Sequence, residues 1–138
     1  MNDLKRFLEA QETDYETALA EIEGGRKQSH WMWYIFPQIA GLGFSSTSKF
    51  YAIKDRNEAV NYLAHPVLGK RLVEISNALL EIERKTASQI FGSPDDAKLK
   101  SSMTLFGALD DTNPVFQKVL DKYFNGAKDD KTLELIDN

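Results

Sequence analysis

Leu68, Leu72, Ile75, Leu79 and Ile82 recur at alternating spacings of four and three, the period at which side chains return to one face of an α-helix. A strand cannot use that spacing, because its faces alternate with every residue. The stripe therefore predicts a long amphipathic helix that must bury one side against other elements, and it reads as the centre of the fold. No alternating apolar and polar ladder occurs elsewhere in the 138 residues, so the partners it packs against are themselves expected to be helices. Apolar residues make up 42% of the chain, enough for one core without disulfides or a structural metal. The expectation is an all-α, compact single domain over residues 1–138, a bundle of about seven to nine short helices with no substantial sheet.

Helix starts and stops recur along the chain. Asp3 precedes Leu4, Phe7 and Leu8 and can cap a short first helix. Thr13 and Glu16 have the spacing of a capping box, opening a second helix with Tyr15, Ala18, Leu19 and Ile22 on one stripe and Gly24-Gly25 at its end. Ser29 to Pro37 is apolar all round; a buried strand would fit, but Ser29 as cap and Pro37 as stop favour a short helix. Gln38 to Ser48, rich in glycine and serine, reads as a loop. Asp55 opens a helix that ends near His65 because Pro66 follows, and the central helix begins there. Thr86 with Gln89 forms another capping box before Gly92. Ser93-Pro94-Asp95-Asp96 supplies a cap, a first-turn proline and two acids, with Leu99, Met103 and Phe106 facing inward and Asp96 and Lys100 spaced for an ion pair. Asn113-Pro114 repeats the device, Asn125-Gly126 ends that helix, and Asp129 caps a last one carrying Leu133 and Ile136.

Composition excludes several chemistries. With no cysteine, disulfides, thiolate metal sites and a cysteine nucleophile are absent. The N-terminus shows no signal peptide and the chain no transmembrane stretch, which points to the cytoplasm and away from a membrane partner. A formal charge of −4 disfavours nucleic acid as a partner. Gly24 to Ser29 lacks the spacing and the strand of a phosphate loop, and Gly41-x-Gly43 has Ser46 where a dinucleotide fingerprint needs glycine. The two histidines form no metalloprotease motif, and no nucleophile elbow is present. The sequence calls for no cofactor and no metal.

Two constellations remain. Arg26, Lys27, Ser29 and His30 lead directly into Trp31, Trp33 and Tyr34, placing cationic groups and a group that titrates near neutrality beside aromatic rings. The competing reading makes Trp31, Trp33 and Phe36 core and His30 a satisfied structural histidine. Asp95, Lys98 and Ser102, spaced by three and four, bring a carboxylate, an amine and a hydroxyl to one side of a helix, a pattern that solvated helix faces also show. His65 is better explained by the helix end than as a ligand.

The same residues carry a resemblance. Leu4 to Gln11, Tyr15 to Leu19, Gly25 to Trp33 with Phe36-Pro37-Gln38 and Gly41-Leu42-Gly43, Tyr62 to Gly69, Ile90 to Asp96 and Lys98 to Phe106 resemble the bacterial family catalogued as domain of unknown function 1810. Ser-His-Trp-Met-Trp and Lys-Leu-x-Ser-Ser-Met-Thr-Leu-Phe are its most specific strings, and the likeness runs nearly end to end. It implies a mainly helical single domain and no activity.

Two functional classes follow. In the first the protein binds an anionic nucleotide-like or ADP-ribose-like small molecule. Lys27 and Lys98 hold the anion, Trp31 or Trp33 stacks on a ring, and Arg26, Ser29, Asp95 and Ser102 complete the site. As an enzyme it would use His30 as the catalytic proton carrier, with His30 and Lys98 lining one pocket. In the alternative the same aromatics form a non-catalytic face for a protein partner or for self-association.

Overall fold

The computed structural model describes residues 4–137. Among them are nine helices: α1 (Lys5–Glu23), α2 (Met32–Ile35), α3 (Ser46–Phe50), α4 (Arg56–Ala64), α5 (Leu68–Leu80), α6 (Ala87–Phe91), α7 (Asp95–Gly107), α8 (Val115–Phe124) and α9 (Asp130–Ile136). The described residues contain no strand, and the fold is all-α. One parallel β-bridge, between Ile39 and Ile53, is the sole extended pairing among them.

The amphipathic stripe behaves as its period requires. Leu68, Leu72, Ile75 and Leu79 are all buried along α5, and α5 packs against α1, α4 and α8, while α7 packs on α8. Phe7, Ile22, Tyr62, Phe106 and Phe116 complete the core. At the α4–α5 corner His65 Nδ1 accepts hydrogen bonds from the amides of Val67 (3.1 Å) and Leu68 (3.3 Å). It thereby satisfies donors that an opening helix leaves free. Gly69 lies against α4 so closely that a Cβ there would fall 1.9 Å from the Leu63 carbonyl oxygen.

Three helix starts match their sequence signals in atomic detail. Asp55 accepts from the Glu58 amide, Thr86 and Gln89 form the reciprocal capping box, and Asp129 accepts from the Thr132 amide. Asn113 Oδ1 accepts from the Val115 amide at 2.8 Å, and Asn125 and Gly126 adopt left-handed conformations after α8.

Other expectations are corrected. The two N-terminal helices are one continuous α1, and its Thr13–Glu16 spacing caps nothing. Glu9-Ala10-Gln11-Glu12 contains no breaker, and strong helix formers propagate a helix straight through a latent cap. Asp3 lies outside the described residues. Ser29 does not cap α2, which begins at Met32 after Trp31. The stretch expected as loop to Ser48 instead enters α3 at Ser46, and the helix's first turn is closed by Ser45 Oγ accepting from the Ser48 amide at 3.1 Å. The helix at Ser93-Pro94 starts at Asp95 without a side-chain cap from Ser93. Asp96 turns to the Ala97 amide at 2.8 Å, while the ion pair on that helix joins Asp95 to Lys98. Among the described residues no helix is long and apolar enough to cross a membrane.

Candidate functional site

The segment after α1 is organised by one carboxylate. Glu21 accepts hydrogen bonds from the amides of Gln28 (2.8 Å) and Ser29 (2.9 Å), from the Ser29 hydroxyl (2.5 Å) and from the Trp31 indole N–H (2.9 Å). Burial by itself would raise this carboxyl, but the bonds from Ser29, Gln28 and Trp31 outweigh it and lower the pKa to about 2. Trp31 is fully buried, with Phe36 and Phe91 around it. The hydroxyl of Ser29 and the indole of Trp31 thus build the loop rather than face outward.

Lys27 is equally engaged. Its side chain is 8% exposed, its ammonium reaches Asp95 at 2.9 Å and the Ser29 carbonyl at 2.6 Å, and it stands 5.1 Å from the Trp31 ring centroid. Its amide donates to the Ile90 carbonyl at 2.8 Å. The loop is thereby tied to α6 and to the first turn of α7. Asp95 also meets Lys98 at 3.5 Å, where the two side chains are 20% and 24% exposed. Lys98 in turn lies 5.3 Å from the centroid of Trp33, a half-buried ring. One carboxylate therefore serves two ammonium groups, and the more accessible of them lies over an indole.

Trp33 also lines a cleft of about 100 Å³ with Gln38, Gly41, Ser48, Lys49 and Tyr51. The Ile39–Ile53 bridge forms its frame, with the Ala40 amide donating to Ile53 and the Ile53 amide to Gln38, both at 2.8 Å. Gly43 is required beside it, since a Cβ there would lie 2.5 Å from that of Ser48. The cleft is smaller than the roughly 150 Å³ cavity that encloses a benzene ring. It has room for a small group only.

The proposed residues thus divide by position. Lys27, Ser29 and Trp31 are bound into the loop scaffold, and Ser102 is buried, its hydroxyl without a hydrogen-bond partner among the described residues. Arg26 and His30 are exposed on the loop, and the His30 carbonyl accepts from the Tyr34 hydroxyl at 3.2 Å. Trp33, Asp95 and Lys98 form the accessible rim. Neither His30 nor Lys98 lines the Trp33 cleft. Gln38 and Ser48 fall in the stretch whose composition predicts a loop, and Lys49 and Tyr51 just beyond it carry no motif; the Ser45–Ser48 capping spacing is the sequence signal for α3. Among the described residues no group of three or more His, Cys, Asp or Glu is arranged to hold a metal ion.

Comparison with known proteins now places this architecture. The family model described as "Protein of unknown function (DUF1810)" matches residues 1–136. The chain belongs to this family. A solved structure, the conserved hypothetical protein Rv1873 from Mycobacterium tuberculosis, is 43% identical to this DUF1810 chain. The match covers 99% of this chain and 98% of that one, with a TM-score of 0.97. No curated protein matches.

Proposed function

We propose that this protein binds a small anionic molecule that carries a planar ring, a nucleotide-like or ADP-ribose-like compound, at the rim formed by Trp33 and Lys98. The observation that carries the reading is the pairing of two ammonium groups with one carboxylate beside a half-buried indole. Asp95 neutralises the buried Lys27, which leaves the more exposed Lys98 with positive charge to offer an anion. Trp33 supplies the face on which a ring lies, and the adjoining cleft accepts a polar substituent. Should the site be catalytic, His30 is its candidate proton carrier, as an exposed imidazole one residue before Trp31.

A specific observation also keeps an interaction module in view: Phe44 and Phe50 are 85% and 58% exposed, and a large exposed ring is the usual anchor of a protein contact. One experiment separates the readings. Nucleotides, sugar phosphates and dinucleotides are screened by thermal shift, and hits are titrated against Trp33→Ala and Lys98→Ala. The small-molecule reading expects a hit worth about 2.7 kcal/mol at a hundredfold excess over Kd, weakened in both variants. Absence of any hit, together with a concentration-dependent dimer abolished by Phe44→Ser and Phe50→Ser, establishes the interaction module instead.

A further inference from the structure

A second cavity adjoins the Trp33 cleft. It is a groove of about 460 Å³ whose lining includes Lys5, Arg6, Lys49, Ala52, Lys54 and Glu58. Cleft and groove share Lys49 and Ala52, so one extended ligand reaches both. The groove's floor is held by hydrogen bonds and is already neutral. Arg6 donates from Nε to the Phe50 carbonyl at 2.7 Å and from Nη2 to the Ala52 carbonyl at 2.8 Å, and it pairs with Glu58 at 3.1 Å. Glu58 also accepts from the Lys54 amide at 2.8 Å.

The lysines differ from this floor. Lys5, Lys49 and Lys54 are exposed. None of their ammonium groups has an ion pair or hydrogen bond among the described residues, which is equally true of Lys70, Lys100, Lys118, Lys128 and Lys131; what sets these three apart is that they line one cavity. Against three such cations the groove sets one further carboxylate, Glu9. On a molecule of net charge −4, the groove is therefore a local concentration of positive charge in a concave wall, a setting that focuses anions.

We propose that this groove is a phosphate subsite in which Lys5, Lys49 and Lys54 hold the phosphate or diphosphate end of the ligand, with Lys49 marking the junction to the Trp33 cleft. The assignment to one ligand rests on the reading of Trp33 above; the groove's own affinity for phosphate does not. Its volume falls in the roughly 300–1,000 Å³ range of small-molecule sites. The molecule's overall negative charge opposes a nucleic-acid strand, whose phosphates extend far beyond three lysines. The chemistry is that of ammonium groups donating charge-assisted hydrogen bonds to phosphate oxygens.

Calorimetric titration with inorganic pyrophosphate, ADP and a single-stranded oligonucleotide tests the subsite, using the wild-type protein, the double variant Lys49→Gln/Lys54→Gln and Trp33→Ala. Exposed lysines can be changed without unfolding the domain, which circular dichroism verifies. Pyrophosphate is expected to bind the wild type and to lose about tenfold or more in the double variant, the equivalent of at least one hydrogen bond to a charged group. Trp33→Ala leaves pyrophosphate binding unchanged but weakens ADP. Equal pyrophosphate affinity in wild type and double variant, or no pyrophosphate binding to the wild type, overturns the subsite. Tighter binding of a single-stranded oligonucleotide than of ADP overturns it in favour of a nucleic-acid surface. If ADP ignores Trp33→Ala yet still depends on the lysines, the ring reading fails and the subsite stands.

Discussion

Glu21 shows how much one side chain can determine. Four donors converge on its carboxylate, and its pKa falls from an ordinary 4.5 to about 2. A carboxyl depressed by folding stabilises the native state fully above its unfolded value, and that contribution disappears as pH falls through the folded one. The stability difference between wild type and Glu21→Gln, followed by urea unfolding, should accordingly be largest near neutrality and shrink between about pH 4.5 and 2. A difference independent of pH would count against this role. The two tryptophans separate in the same way. Trp31→Ala should destabilise by about 3–5 kcal/mol, the range for a buried aromatic, and Trp33→Ala by clearly less. The sequence placed both in one aromatic run, but which ring turned inward depended on Glu21, ten residues earlier, claiming the indole N–H of Trp31. Asp95→Ala should cost about 3–5 kcal/mol because it strands the buried Lys27 ammonium. Lys98→Ala should cost no more than about 1 kcal/mol. Chemical denaturation checks both.

At the scale of elements, legibility followed the nature of the signal. The caps at Asp55, Thr86 and Asp129 were readable from residue type and spacing, and at Asp129 the preceding Asn125-Gly126 supplies a breaker that agrees with the cap. Thr13 offered a cap with no breaker, and propagation of α1 overrode it. The short α2 and α3 are set by tertiary surroundings, since helices of a turn or so have no stability of their own. The α4–α5 corner adds a constraint that no periodicity reveals, the approach of Gly69 to the Leu63 carbonyl. Gly69→Ala must push the two helices apart and should lower stability by more than about 1–3 kcal/mol, the usual penalty of overpacking. A melting temperature within a degree of wild type would show that the corner yields easily.

For the whole molecule, the candidate site could not be read from the sequence because three separated stretches assemble it. Residues 5–9 of α1, 33–43 around α2 and 48–58 from α3 into α4 each line part of the two cavities. None carries a motif by itself, and the basic character of the groove is hidden in an acidic chain. The family strings did lead to Trp33, Asp95 and Lys98, but also to Lys27, Ser29 and Trp31, whose groups are spent on the loop scaffold. Behind the wall that the cavities share stands Arg6, a residue of α1 that holds the carbonyls of Phe50 and Ala52. Arg6→Ala should speed amide exchange across residues 50–53 and reduce affinity in cleft and groove together. The same anchor has a thermodynamic corollary. A ligand group that stills this shared wall from one side leaves less disorder for its counterpart to remove from the other. In the proposed site the two halves would then be coupled reciprocally through entropy, without any change of shape.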